Sequence, residues 1–239
     1  MDTPDPLPSV VAPKWPHESV GALRARLARD YDLVHRRLMI GGRRFKLAHP
    51  RAMEALIDHE EFRRDERLPY WARLWPSAIT LAGAVLERAG QVTGRQVIEL
   101  GCGLGLPSIA AAAVGARVLA TDYYDAALEF VRYNSLVNLG FPIASLNLDW
   151  RKPPSGLGRF DLVLASDVLY ERRDVAPLAA LVPQLVANGG EVWLAEPGRP
   201  AAAAFLELLR ELGWTVDRLS RASPAADPSV MIHRLYRRA

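Results

Sequence analysis

Glycine stands at every second position of Gly101-Cys102-Gly103-Leu104-Gly105, directly after the apolar run Gln96–Leu100. Glycines at the end of a strand permit a tight turn and let backbone N–H groups approach a ligand closely. Pro107 suits the first turn of a helix that follows. A dinucleotide fingerprint needs Gly-x-Gly-x-x-Gly, and Leu106 occupies the place of its third glycine. The chain instead carries Gly-x-Gly-x-Gly with an acid, Glu99, ahead of it. A second acid, Asp122, ends the next apolar run, 17 residues beyond Gly105. A carboxylate beside such a loop can hold two ribose hydroxyls. A glycine loop alone is also an ordinary strand-to-helix turn. Loop, Glu99 and Asp122 together, in a strand–helix–strand frame, carry more weight. Cys102 lies within the loop, where helix-end electrostatics act to lower a thiol pKa. With no histidine close to it in sequence, it reads as a small loop residue and not as a nucleophile.

The elements that must position these residues follow from hydrophobic spacing. Apolar runs at Gln96–Leu100, Arg117–Thr121, Ile143–Leu148, Asp161–Ala165, Glu191–Ala195, Trp214–Leu219 and Val230–Tyr236 read as strands. Helical patterns fall between them at 106–114, 125–138, 174–187 and 201–212. This alternation predicts an α/β fold, a doubly wound seven-stranded sheet, mostly parallel, with helices on both faces. The last two runs are joined without a helix and so predict an antiparallel hairpin at one edge. Ahead of the sheet, residues 1–19 hold five prolines and read as a disordered tail. Ser19 is placed to cap a helix over 20–37, Leu38–Leu47 to form a hairpin around Gly41-Gly42, and Ala52–Phe62 to form another helix. Residues 20–67 are therefore expected to be an accessory segment, and 68–239 the main domain.

Composition narrows the function classes. The single cysteine excludes a disulfide framework, a Cys-based zinc site and a cysteine-ligated iron–sulfur cluster. His17, His35, His49, His59 and His233 form no ligand-spaced cluster, so no metal is expected. No apolar run reaches membrane-spanning length and the first residues lack a signal-peptide core, which predicts a cytoplasmic protein with no membrane partner. The net charge is +3, and all of it falls within residues 1–75, with 14 basic against 11 acidic residues. The arginines there are interrupted by Asp30, Asp32 and the run Asp58–Glu61. Salt-dependent nucleic-acid binding needs a coherent patch, so a nucleic-acid partner is not expected.

The segment Glu99–Gly105 with Asp122 resembles the cofactor-binding motifs of the Rossmann-like, seven-stranded (class I) S-adenosylmethionine-dependent methyltransferases, over roughly residues 70–239. The resemblance implies S-adenosyl-L-methionine as cofactor. It implies that Gly101, Cys102, Gly103 and Gly105 form the loop and that Glu99 faces the amino-acid part through it. Asp122 would bind the ribose, Asp149 the exocyclic amine of adenine, and Trp150 its ring. Ala165-Ser166-Asp167-Val168-Leu169-Tyr170 lacks the Asn/Asp-Pro-Pro-Tyr of enzymes acting on planar nitrogens. Its Asp-x-x-Tyr resembles the protein-lysine methyltransferase branch, which implies Asp167 and Tyr170 as catalytic residues and Ser166 beside the cofactor. Leu68-Pro-Tyr-Trp-Ala-Arg-Leu-Trp-Pro-Ser-Ala78 resembles the aromatic segment of the same branch, with Trp75 against the cofactor. Glu196-Pro-Gly-Arg-Pro200 resembles the Asp-Pro-Gly-Arg-Pro of electron-transfer-flavoprotein β-subunit lysine methyltransferases, with glutamate for aspartate. Pro76-Ser77-Ala78 likewise departs from that group's Pro-Gly-Gly.

The expectation is methyl transfer to a protein lysine, with a flavoprotein subunit as one candidate substrate. A small-molecule N- or O-methyltransferase on the same fold is the alternative, because the site and not the fold fixes the substrate. An NAD-linked oxidoreductase is disfavoured by Leu106, and a non-catalytic cofactor- or nucleic-acid-binding module by the broken basic patch. A lysine acceptor must first lose a proton, at a cost of about 4–5 kcal/mol at neutral pH. A nearby carboxylate opposes that loss, so Asp167 reads as an orienter of the amine more than as a base.

Overall fold

A computed structural model describes residues 18–57, 68–219 and 229–238. The proline-rich segment 1–17 and the second half of the expected helix 52–62 lie outside the described residues. The first half of that helix is a single 3-10 turn, Glu54–Leu56.

Helix α1 (Val20–Asp30) starts where Ser19 accepts the Ala22 N–H at 3.1 Å. It stops well short of residue 37. Tyr31 is extended, and Leu33–Ile40 forms β1, paired antiparallel with β2 (Arg43–Pro50) across Gly41-Gly42. Both glycines have positive φ, 54° and 75°, as a two-residue hairpin turn requires. The helical spacing Leu23–Leu27–Tyr31–Val34 runs on by coincidence, while Val34, Arg36, Leu38 and Ile40 share one strand face. The ladder to β2 gives alternate residues of this stretch backbone partners in place of the helical ones.

Helix α2 (Pro76–Glu87) has no counterpart in the sequence expectations. Its buried residues include Ser77, Thr80, Leu81, Ala82, Gly83, Ala84 and Val85, which leaves no polar stripe for a helical period to show. From Gln96 onward the strands and α-helices follow the predicted alternation: β3 (Gln96–Leu100), α3 (Leu106–Ala113), β4 (Arg117–Asp122), α4 (Asp125–Leu139), β5 (Ala144–Asn147), β6 (Phe160–Ser166), α5 (Val175–Leu185), β7 (Val186–Glu196), α6 (Pro200–Glu211), β8 (Thr215–Leu219) and β9 (Met231–Tyr236).

The seven strands β3–β9 form one sheet in the order β5-β4-β3-β6-β7-β9-β8. β3 to β7 are parallel, and β9 runs antiparallel to both of its neighbours. Successive strand residues feed two cores. Val97, Val118, Leu162 and Trp193 pack toward α2, α3 and α4; Ile98, Leu119, Val163 and Leu194 pack toward α5 and α6. Burial on both faces explains why these strands read as continuous apolar runs. Among the described residues no helix is long and apolar enough to cross a membrane.

The N-terminal layer is held on α4 by side-chain amides. Asn134 accepts the Ala48 N–H at 2.7 Å and donates to the Ala48 carbonyl at 3.2 Å. Asn138 does the same for Lys46, at 2.9 and 2.8 Å. The backbone edge of β2 is thereby satisfied without another strand. Asn134 also donates to the Leu104 carbonyl at 3.1 Å, which ties this layer to the glycine loop.

Candidate active site

β3 and β6 are neighbours, but the chain leaves them in opposite directions, toward β4 from one and toward β7 from the other. Their C-terminal loops part there, and ligands of open α/β sheets bind in such a crevice. A cleft of about 230 Å³ opens at this point. Every residue singled out from the sequence lines it except Glu99: Trp75, Gly101, Cys102, Gly103, Gly105, Asp122, Asp149, Trp150, Ser166, Asp167 and Tyr170.

The loop between β3 and α3 demands its glycines. Gly101, Gly103 and Gly105 have φ of 61°, 50° and 78°, where L side chains are strained. A Cβ on Gly101 would stand 2.8 Å from Val168 Cγ1, and one on Gly105 2.9 Å from Val131 Cγ2. One on Gly103 would press on the Trp71 carbonyl oxygen at 3.3 Å. The Cys102 N–H donates to the Thr121 carbonyl at 2.9 Å and pins the loop to β4. Burial pushes the Cys102 thiol pKa well up, and Asp122 and Glu99 add to it. No lowering by the helix end survives, and the thiol stays protonated.

Strand alternation puts Glu99 on the Val97 face, behind the loop. Its Oε2 accepts from Ser108 N at 2.8 Å and Ser108 Oγ at 2.5 Å, so it caps the start of α3 from below. Its Oε1 is buried with no hydrogen-bond partner. Burial raises its pKa to about 8, against the two Ser108 bonds and with help from Asp122. The carboxyl is therefore mostly protonated at neutral pH.

Asp122 braces the loop from β4. Its Oδ2 accepts the Gly103 N–H at 2.9 Å and its Oδ1 the Tyr124 N–H at 3.0 Å. A carboxylate oxygen can accept more than one hydrogen bond, as hydroxyl ligands require. Beyond β5, Asp149 is gripped by Arg151, Nε to Oδ1 at 2.9 Å and NH2 to Oδ2 at 2.8 Å. The Arg151 guanidinium also lies 5.9 Å from the centre of the Tyr123 ring. Trp150 packs its ring beside Gly101, and its indole Nε1 is buried without a partner.

At the other end of the cleft, Asp167 adopts φ 56°, the left-handed conformation. Its N–H donates to the Ala195 carbonyl at 2.9 Å, which holds the strained turn in place. Arg199 forks onto its carboxylate, Nε to Oδ1 at 2.6 Å and NH2 to Oδ2 at 3.3 Å. Arg199 is seated in turn by Glu196. The N–H groups of Gly198 and Arg199 donate to Glu196 Oε2 at 2.6 and 3.0 Å, and His233 Nε2 pairs with Oε1 at 2.9 Å. Burial alone would raise the Glu196 pKa, but these bonds outweigh it and hold the carboxyl below its ordinary range. Tyr170 packs edge-on to Tyr70 with ring centres 4.8 Å apart, and Tyr70 to Trp75 at 6.0 Å. The Trp75 indole donates to the Tyr70 carbonyl at 2.9 Å, and Arg73 sits 4.9 Å from its ring centre.

Sequence reasoning did not assign Arg199, Tyr70, Tyr123 or Arg151 to the site. Arg199 and Tyr70 lie inside the quoted motif segments, and Asp149-x-Arg151 is a short acid–base pair, so signals were present without a partner to give them meaning. Chemically, one end of the cleft offers carboxylate acceptors and a backbone cradle, and the other an aromatic wall around a paired aspartate.

A sheet of this order with a glycine loop at its switch point defines the Rossmann-like methyltransferase architecture. The ribosomal protein L11 methylase of Lactobacillus delbrueckii subsp. bulgaricus, 27% identical, matches with a TM-score of 0.52 over 66% of this chain and 77% of its own. The electron transfer flavoprotein beta subunit lysine methyltransferase of Rattus norvegicus is 36% identical over 138 residues, 55% of this chain. The chain spans about half of that relative, 52% of its length. The protein N-terminal and lysine N-methyltransferase EFM7 of Eremothecium gossypii is 36% identical over 179 residues, 65% of this chain and 68% of that protein. The lysine methyltransferase family matches residues 62–211, and the chain belongs to that family.

Proposed function

We propose that this protein transfers a methyl group from S-adenosylmethionine to a lysine side chain of a protein by in-line displacement. The observation that carries the reading is the convergence on one cleft of two halves. These are the glycine loop with Asp122, and Asp167–Tyr170 with its aromatic wall, in a chain of the lysine methyltransferase family. S-Adenosylmethionine supplies a methyl group on a sulfonium that is already activated for displacement. The protein's work is alignment, and orientation can supply roughly 7–11 kcal/mol of a barrier.

The residues present suit this group. Gly101, Gly103 and Gly105 present bare backbone to the cleft, Asp122 offers a carboxylate to ribose hydroxyls, and Asp149 and Trp150 offer an acceptor and a ring for adenine. Trp75 and Ser166 close the donor side. Asp167 accepts an N–H of the incoming amine, and the rings of Tyr70, Tyr170 and Trp75 exclude water around it. The substrate is a protein, and the electron-transfer-flavoprotein subunit named for the rat relative is one candidate. The exposed Arg36, Arg37, Arg43 and Arg44 of the β1–β2 hairpin give an acidic protein surface a place to dock.

Incubation with labelled donor and cell lysate tests the acceptor: label should enter a protein band and be lost with Asp167→Ala. Calorimetry of that variant with S-adenosylhomocysteine should show affinity within about threefold of wild type, a difference of roughly 0.6 kcal/mol. Label in an extractable metabolite refutes the protein acceptor. Collapse of cofactor binding in the variant puts Asp167 in the donor site.

A further inference from the structure

A bare carboxylate at Asp167 would work against the reaction proposed above. An opposite charge within about 4–6 Å of an amine favours the ammonium, which has no lone pair to attack with, by roughly 10- to 1000-fold. Asp167 is not bare. Both of its oxygens are taken on one side by the Arg199 guanidinium, at 2.6 and 3.3 Å, with the aspartate side chain buried and the arginine partly exposed. Each oxygen keeps a second lone pair, so the carboxylate can still accept an N–H from a neutral amine.

The placing of Arg199 is over-determined. Its own N–H and that of Gly198 are held by Glu196, and Glu196 is held by His233 on β9. Pro200 begins α6 directly after it. The pairing with Asp167 raises the Arg199 pKa further, so its charge is permanent. The other ionisable groups around this end of the cleft are Tyr70 and Arg73 ahead of α2, and Tyr170, Arg173 and Asp174 beyond β6. Arg173 pairs with Glu171, and Asp167 with Arg199, so the carboxylate nearest the aromatic wall carries its own counter-charge.

We infer that Arg199 is a positioning residue that cancels the charge of Asp167, so that the cleft takes up an amine as the free base and orients it through Asp167, instead of capturing the ammonium. The inference rests on the lysine-methyltransferase reading of the cleft and adds the protonation state in which the acceptor binds. A purely structural role for Arg199, as an anchor of the Glu196–Pro200 turn, gives no such discrimination between free base and ammonium.

The test is the pH dependence of amine affinity. Wild type, Arg199→Gln and Arg199→Lys are saturated with S-adenosylhomocysteine and titrated with n-butylamine, which copies the end of a lysine side chain. Tryptophan fluorescence reports binding between pH 7 and 9.5. Free-base binding makes wild-type affinity rise about tenfold per pH unit below the amine pKa. Arg199→Gln should flatten that slope, because the unpaired carboxylate now captures the ammonium. Arg199→Lys should keep it, since the charge is retained. Asp167→Asn combined with Arg199→Gln should restore the slope and shows that the turn is intact. Equal slopes in wild type and Arg199→Gln, a flat wild-type profile, no detectable n-butylamine binding, or a lysine variant that behaves like glutamine each overturns the inference. Failure of wild type to bind S-adenosylhomocysteine in calorimetry overturns the cofactor reading itself. Cofactor binding with pH-independent amine affinity overturns only the role given to Arg199.

Discussion

Replacing Glu99 with glutamine should change how stability depends on pH, and the structure sets the sign. The folded carboxyl titrates near pH 8 because it is buried, while the unfolded one titrates near 4.5. Between those values the native chain holds a proton that the unfolded chain has released. Stability therefore falls as pH rises, by about 1.4 kcal/mol per pH unit. The contribution is fully present below about pH 4.5 and gone above about pH 8, a total on the order of 4–5 kcal/mol. Glutamine cannot ionise. Its carbonyl oxygen can take over both Ser108 bonds, at 2.8 and 2.5 Å in the wild type, and its NH₂ then falls where Oε1 has no partner. The protonated wild-type carboxyl leaves one O–H unmet there and the amide leaves two N–H, and the additional unmet donor costs about 1–3 kcal/mol. Urea denaturation followed by circular dichroism at pH 5, 6, 7 and 8 should thus show curves that cross, with the variant weaker at pH 5 and stronger at pH 8. Burial holds the His35 pKa down, and this gives a slope of the opposite sign, but it is common to both proteins and cancels in the difference. Parallel curves would refute the assignment of Glu99 as a neutral helix cap.

Other outcomes follow from the same geometry. Gly105→Ala should lose about 2–5 kcal/mol, from a left-handed residue that gains a Cβ and from overpacking against Val131, where that Cβ would lie 2.9 Å from Cγ2; thermal unfolding measures it, and a change below 1 kcal/mol contradicts it. Asn134→Ala strips partners from the Ala48 N–H and carbonyl and from the Leu104 carbonyl. It should cost about 2–4 kcal/mol and speed amide exchange at Ala48 before the central strands, a pattern that hydrogen exchange detects.

Much of the sheet was legible because parallel strands buried on both faces give unbroken apolar runs, as at Ile98 and Val163. The glycine loop was legible for a related reason: three backbone positions at positive φ and in close contact leave few residue types possible. Helix α2 was hidden by burial all round, and the end of α1 by the accidental helical spacing of Tyr31 and Val34 with the residues before them. At the site, the sequence reading had Glu99 face the cofactor through the loop, and the alternation of β3 sets its side chain behind that loop, bonded to Ser108 at the start of α3, a contact no local pattern announces. The Arg199–Asp167 pair joins residues 32 positions apart, on loops that meet only after β6 and β7 align. No local pattern encodes such a meeting.

The amide contacts between α4 and β2 work like a vernier. Four residues of helix advance about 6.0 Å and two of strand about 6.8 Å, so Asn138 and Asn134 fall opposite Lys46 and Ala48. One further step along both scales brings Phe130 to Pro50, a side chain with nothing to donate and a residue with no N–H to be met. Sliding the hairpin by a single division in that direction would set the Ala48 N–H against Phe130 and strand it. The two graduated edges therefore read true at one setting, and the position of the N-terminal layer over the glycine loop is fixed by side chains that touch neither ligand nor core strand.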